Sequence, residues 1–132
     1  DSALFKYAKK FDNSLINQSN ILLSKKIRNS YKDKIDLKTI KAFKIAIKNI
    51  TKFHKKQIPT DYTLSDEGVK TSLIWKPISS VGLYVPGGNA VYPSSLIMNV
   101  IPAKVAGVKR IVVVTPAKFG EINPYILALS KQ

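Results

Sequence analysis

The order of secondary structure predicted for the last third of this chain constrains its fold more than any other feature. Residues 110–115 form a β-branched run, which is typical of a strand in the buried middle of a parallel sheet. Residues 81–85 form an earlier apolar strand, and residues 93–106 form a helix between the two. A further helix is predicted over residues 125–131, capped and started by Asn123-Pro124. The order β-α-β-α predicts an α/β fold with a Rossmann-like unit, in which a right-handed crossover packs helices on a parallel sheet.

The helix between the two strands carries its own start and stop signals. Pro93 suits the first helical turn, and Gly107 suits a left-handed helix end. Pro102 lies inside the helix, where it removes one backbone hydrogen bond. Apolar residues at helical spacing continue on both sides of this proline: Leu96, Ile97, Val100, Ile101 and Val105. We therefore expect a bend at Pro102 rather than the end of the helix.

The first half of the chain is predicted to be helical and is rich in lysine. Asp36 is a good N-cap for a long amphipathic helix. One side of this helix is predicted to face the core: Leu37, Ile40, Phe43, Ile47, Ile50 and His54. The opposite side carries Lys41, Lys44, Lys48, Lys52 and Lys55. We interpret the lysines as a solvated surface, with anion binding as the alternative, and His54 as a packed histidine rather than a metal ligand or base.

Shorter elements complete the prediction. Residues 2–11 have the apolar spacing of the last turns of a helix, so we expect the natural chain to begin earlier. Ser24 caps a short helix that extends to Tyr31. Strands at 62–64 and 69–75 flank the turn residues 66–68 and predict a β-hairpin. A single partial domain then comprises a helical, lysine-rich part (1–59), the hairpin (60–79) and the Rossmann-like, cofactor-facing unit (80–132).

The composition narrows the classes of function. The net charge of +14 suggests a polyanionic partner such as RNA as an alternative. The basic residues are almost all lysine, however, and no aromatic residues are interleaved with them. This pattern disfavours a nucleic-acid partner. The chain has no cysteine and one histidine, which excludes thiolate sites and leaves few ligands for a metal. No segment has the length and apolarity of a membrane span or the pattern of a secretory signal, so we predict a cytoplasmic protein with no membrane partner.

The loop after the first strand of the Rossmann-like unit is the candidate site. Ligands of open parallel sheets bind beyond the carboxyl ends of the strands. Gly87 and Gly88 permit close approach of the backbone to a ligand, although two glycines after a proline are also typical of a simple turn. The N–H groups near Ser94 and Ser95 suit an anion, and Tyr84 at the strand end suits a flat ring.

A long stretch of sequence around this loop resembles a known protein family. Residues 81–116, VGLYVPGGNAVYPSSLIMNVIPAKVAGVKRIVVVTP, closely resemble the signature region of the histidinol dehydrogenase family. The resemblance continues upstream through residues 68–77, through Phe53-His54 with Gln57, and through YAKKFD at residues 7–12. It therefore covers essentially the whole chain.

The resemblance implies an enzyme of histidine biosynthesis that oxidises L-histidinol to L-histidine through an aldehyde, with two hydride transfers to NAD. It also implies a Rossmann-related fold, a homodimer, and zinc that holds the substrate. By the same resemblance Tyr84 contributes to the NAD site, and Pro86, Gly87 and Gly88 form the adjoining loop.

This chain departs from the family pattern in what it lacks. Family members are considerably longer, and their zinc ligands, their catalytic Glu-His pair and most of their substrate contacts lie downstream of the matching region. His54 matches a position beside a long helix and not a zinc ligand. We therefore predict neither catalytic nor metal-binding residues in this chain, and we expect it to be inactive alone. A basic nucleic-acid-binding module and a noncatalytic remnant that pairs with a full-length subunit remain the alternatives.

Overall fold

The computed structural model describes residues 1–87 and 90–131 and confirms a mixed α/β fold. Its helices are α1 (Ser2–Asp12), α2 (Lys25–Asn29), α3 (Leu37–Lys55), α4 (Pro93–Ala106) and α5 (Pro124–Leu129). Its strands are β1 (Tyr62–Asp66), β2 (Val69–Leu73), β3 (Ser80–Tyr84) and β4 (Arg110–Val114). The division of the chain into three parts of one partial domain stays a prediction. None of the helices in the described residues is long and apolar enough to cross a membrane.

Strands β3 and β4 form the predicted parallel pair. Tyr84 lies opposite Val114 in the register, and the Val85 N–H donates to the Val114 carbonyl at 2.8 Å, one residue past the end of β3. The strand boundaries therefore agree with the sequence to within one residue. The handedness of the crossover through α4 stays a prediction.

The predicted burial of β4 was wrong for the described residues. Its side chains alternate, so that Ile111 and Val113 are half-buried whereas Val112 and Val114 are exposed. Successive residues of a strand point to opposite faces of a sheet. Val113 packs against the hydrophobic core, and no described element covers the opposite face. One face of β4 is consequently apolar but open.

Helix α4 lies at the centre of the hydrophobic core. It contacts α3, α5 and β3, and its residues Leu96, Ile97 and Ile101 are buried. The other buried members of this cluster are Val85, Ile126 and Leu129. The helix continues through Pro102, as the apolar spacing predicts, and the predicted bend itself stays a prediction. It ends at Gly107, whose φ of 90° is the left-handed conformation that glycine adopts without strain.

Helix α3 begins where its capping residue predicts. The Asp36 carboxylate accepts hydrogen bonds from the Thr39 N–H at 2.6 Å and from the Thr39 hydroxyl at 3.0 Å. Phe43, Ile47 and Ile50 pack against the core, as predicted. The predicted core residue Leu37 is 78% exposed because it lies in the first turn, ahead of the segment that meets α4. All five residues of the predicted lysine side are exposed: Lys41, Lys44, Lys48, Lys52 and Lys55.

Strands β1 and β2 form the predicted antiparallel hairpin. Glu67 and Gly68 have φ values of 45° and 81°, which is the geometry of a two-residue type I′ turn. The second strand ends at Leu73, earlier than predicted, and the Trp75 N–H instead donates to the Asp61 carboxylate at 2.8 Å. Every residue of both strands is exposed. The hairpin is therefore held mainly by its own hydrogen bonds.

The short helices also begin at their predicted caps. The Ser24 hydroxyl accepts from the Ile27 N–H, although α2 ends at Asn29 and does not reach Tyr31. The Asn123 side chain accepts from the Tyr125 N–H at 2.9 Å and begins α5. At the other end of the chain, α1 is tied to the segment after β4 by a hydrogen bond from the Phe119 N–H to the Asp12 carbonyl.

Replacement of Asp36 tests the cap of α3. The hydrogen bonds from the Thr39 N–H and hydroxyl hold the pKa of Asp36 below its ordinary value. The stabilisation is therefore fully present above the ordinary carboxylate pKa of about 3.9 and is lost as the pH falls through the lowered pKa of the folded state. We expect Asp36→Ala to reduce the free energy of unfolding at neutral pH, measured by urea titration, because Ala offers no acceptor.

Asp36→Asn is the matched control, since its amide oxygen keeps an acceptor that does not titrate in this range. The stability difference between wild type and Asp36→Asn should change between neutral and acidic pH. A difference that stays constant across that range would contradict the assigned charge of the cap.

Candidate functional site

Tyr84 stands exposed at the carboxyl end of β3. The next residue, Val85, is fully buried in the core. Because neighbouring residues of an extended chain point to opposite sides, the burial of Val85 directs Tyr84 outward. The tyrosine is 66% exposed. Its ring is therefore exposed, and its stacking on a flat ligand stays a prediction.

The loop that follows brings Pro86 and Gly87 beside the end of β4. A Cβ atom on Gly87 would lie 2.7 Å from Thr115 Oγ1 and 3.4 Å from the carbonyl oxygen of Pro116. The first distance is shorter than Cβ atoms tolerate, so a side chain at position 87 would force Thr115 or the loop to shift. The sequence led us to expect Gly87 to be small for close approach to a ligand. The structure shows that it is small for close approach to the neighbouring loop.

Thr115 is a member of this site that sequence reasoning missed. It is half-buried and directly follows β4, whose carboxyl end shares an edge with that of β3. The available signal was its position: in a parallel pair, the residue after each strand lies at the same edge. Tyr84, Pro86, Gly87 and Thr115 are therefore gathered at one end of the sheet.

The start of α4 offers less to an anion than predicted. The Ser95 N–H donates to the Tyr92 carbonyl at 3.0 Å and is therefore not free, which contradicts the prediction for this group. Tyr92 occupies the N-cap position without a side-chain hydrogen bond. Gly88, the remaining predicted loop residue, lies outside the described residues together with Asn89. Cofactor contacts of Tyr84, Pro86, Gly87 and Gly88 stay predictions.

His54 has a structural environment that agrees with its prediction. Its Nδ1 is paired with Gln57 Oε1, and its ring lies edge-on to Phe53 with centroids 5.4 Å apart. His54 and Gln57 border an open groove of about 750 Å³ that also touches Trp75 and Pro102. This groove contains none of the residues gathered at the strand ends. Within the described residues, no three His, Cys, Asp or Glu side chains are grouped so that they could hold a metal ion.

Comparison with known proteins identifies the family. The family model described as histidinol dehydrogenase matches residues 1–132. This chain belongs to the histidinol dehydrogenase family. The resemblance inferred from the string at residues 81–116 is thereby confirmed over the whole chain.

Individual relatives agree with this assignment. Histidinol dehydrogenase from Rhodospirillum rubrum is 42% identical over 132 residues, which cover 99% of this chain and 30% of the relative. Its counterpart from Caldanaerobacter subterraneus is 45% identical over 128 residues, with coverage of 96% and 30%. The crystal structure of histidinol dehydrogenase from Elizabethkingia anophelis matches with a TM-score of 0.90 at 35% identity and covers 99% of this chain and 30% of that one. This chain thus spans about 30% of the length of the relatives that it matches.

Gly87→Ala tests the contact between the two loops. We expect the free energy of unfolding to fall by about 1–3 kcal/mol, the usual range for overpacking, because the new methyl group meets Thr115. Gly82→Ala in β3 is the matched control, since a Cβ there has no neighbour within 4 Å and Gly82 does not have a positive φ. The control should be neutral or stabilising by up to about 1 kcal/mol. Equal effects of the two substitutions in urea unfolding would refute the close approach at Gly87.

Proposed function

We propose that this chain forms the NAD-facing part of a histidinol dehydrogenase, the NAD-dependent enzyme that oxidises L-histidinol to L-histidine through an aldehyde intermediate. The observation that carries the proposal is the family match, which extends over all 132 residues and is accompanied by a structural match with a TM-score of 0.90. The relatives bear the name of this activity. A homodimer, as implied by the resemblance, and a cytoplasmic location, as predicted from the sequence, are part of the proposal.

The strand-end geometry supports NAD as the ligand of this part. Tyr84 presents an exposed aromatic ring where a parallel strand ends, which is the edge at which open α/β sheets bind nucleotides. The half-buried Pro86 and Gly87 follow Tyr84 after the buried Val85 and begin the adjoining loop. When bound, NAD is the hydride acceptor. In this proposal Tyr84 stacks on the cofactor, and the Pro86 and Gly87 backbone lines its binding surface. Gly88, which lies outside the described residues, is assigned to the same loop from the resemblance alone.

The residues that the structure describes do not fit zinc or the chemical step. Zinc requires three or four nitrogen, oxygen or sulfur ligands that converge on one point, and the described residues contain no such group. Oxidation of an alcohol to an acid requires one base for the hydroxyl group and another for the attack of water on the aldehyde. The one histidine, His54, is hydrogen-bonded to Gln57 and lies in a different groove from Tyr84. We therefore assign this chain cofactor binding and not catalysis.

Tyr84→Ala in the complete gene product that contains this chain tests the NAD site. We expect the Kd for NAD to rise about tenfold, because loss of an aromatic contact of about 1.4 kcal/mol corresponds to that factor. Tyr84→Phe should retain most of the affinity, since it keeps the ring. Isothermal titration calorimetry measures both values, and the zinc content of each variant should be unchanged.

Tyr62→Ala is the control for the loss of an exposed tyrosine. Tyr62 is 56% exposed, which is close to the exposure of Tyr84, but it belongs to the hairpin. Its replacement should leave the affinity for NAD unchanged. Equal affinities of Tyr84→Ala and wild type would rule out Tyr84 as part of the NAD site.

The chain of 132 residues by itself should not oxidise histidinol. The expected result, with histidinol, NAD and zinc supplied, is no NADH above the rate of a sample without protein. The Rhodospirillum rubrum enzyme serves as the positive control under the same conditions. Histidinol-dependent formation of NADH by the purified chain would overturn the assignment of its residues to binding alone.

A further inference from the structure

We propose that Thr115 is a positioning residue for the nucleotide loop, because its side chain supports the backbone at Gly87. This inference rests on the proposed function, since it deepens the assignment of the strand ends to NAD. Thr115 lies on β4's side of the sheet edge, whereas Tyr84 and Gly87 lie on β3's side. It would act on NAD through the loop and not by contact.

The parallel pairing brings the two loops to a common point. The last hydrogen bond joins the Val85 N–H to the Val114 carbonyl at 2.8 Å. Thr115 is the next residue after this bond on one side, and Gly87 is two residues beyond it on the other. Val85 is fully buried, so the bond is shielded from water and anchors both loops. Little freedom is left between this anchor and the Gly87 backbone.

Thr115 then fills the space that a side chain at position 87 would take. Its Oγ1 lies 2.7 Å from that Cβ position, and the ring of Pro116 adds a contact at 3.6 Å through Cδ. The φ angle of each proline is fixed by its ring, so Pro86 and Pro116 stiffen the two loops on either side of the contact. The Thr115 side chain therefore stands in the way of a shift of the Gly87 backbone in the direction of that Cβ position.

The position of the Gly87 backbone matters for binding. A loop that contacts a cofactor through its backbone cannot compensate for a displacement by changing a side-chain rotamer. Displacement of binding groups by about 1 Å is enough to weaken a site substantially. Removal of the Thr115 side chain opens the space beneath Gly87 and lets the loop settle away from Tyr84. The affinity for NAD should then fall, although neither Tyr84 nor the loop residues have been changed.

The test compares variants of Thr115 in the complete gene product, with NAD as the probe. Thr115→Ala should raise the Kd and the KM for NAD about three- to tenfold and leave kcat at saturating NAD within about twofold, since loop packing changes by the order of 1 kcal/mol. Thr115→Ser keeps Oγ1 and should restore the Kd to within about twofold of wild type. Thr71→Ala, an exposed threonine of β2, is the matched control and should change nothing.

A double substitution tests the contact itself. Gly87→Ala should weaken NAD binding because the new methyl group meets Thr115 Oγ1. Gly87→Ala combined with Thr115→Ala removes that clash and should bind NAD more tightly than Gly87→Ala alone. The effects of the two changes would then be non-additive, as is expected of residues in contact. The double variant also serves if either single variant fails to fold.

The outcomes separate this inference from the function on which it rests. If Tyr84→Ala weakens NAD binding but Thr115→Ala leaves both Kd and KM unchanged, Thr115 has no positioning role and the proposed function stands. Equal losses in kcat and in affinity for Thr115→Ala, or failure of Thr115→Ser to restore affinity, also overturn the positioning role. If the wild-type gene product neither binds NAD nor oxidises histidinol, the proposed function itself fails.

Discussion

The parallel pairing of β3 with β4 positions both the hydrophobic core and the candidate site. It requires a crossover, and α4 supplies it by running back beside β3 with Leu96 and Ile97 buried beneath the sheet. The same pairing places the carboxyl ends of both strands at one edge. Val85 belongs to both regions. Its side chain lies in the core, and its N–H makes the last hydrogen bond between the two strands, at the candidate site.

Much of the fold could be predicted because the helix boundaries are encoded locally. Each of the three capping side chains accepts a hydrogen bond from a backbone N–H two or three residues later: Ser24, Asp36 and Asn123. Their role can therefore be predicted from the local sequence alone. Burial could not be predicted in the same way. Leu37 fits the apolar face of α3 and is nevertheless exposed, because burial depends on where α4 lies across from it. The burial of β4 was predicted wrongly because the sequence does not show that one face of this strand is left uncovered by the described elements.

The candidate site could likewise be predicted only in part from the sequence. Tyr84 and Gly87 could be selected from the resemblance and from the general rule that ligands gather at strand ends. The structural reason for the glycine could not, because its neighbour Thr115 is distant in sequence and meets it only through the register of the pair. Resemblance identifies which positions matter, whereas the packing of two loops explains why one of them has no side chain.

The type I′ hairpin of β1 and β2 has a consequence for the dynamics of the chain. Its backbone hydrogen bonds close over a two-residue turn, and none of its side chains is buried. Segments with few buried apolar contacts open locally at a free-energy cost well below that of global unfolding. The amide hydrogens of this ladder should therefore exchange with deuterium early, long before those of α4.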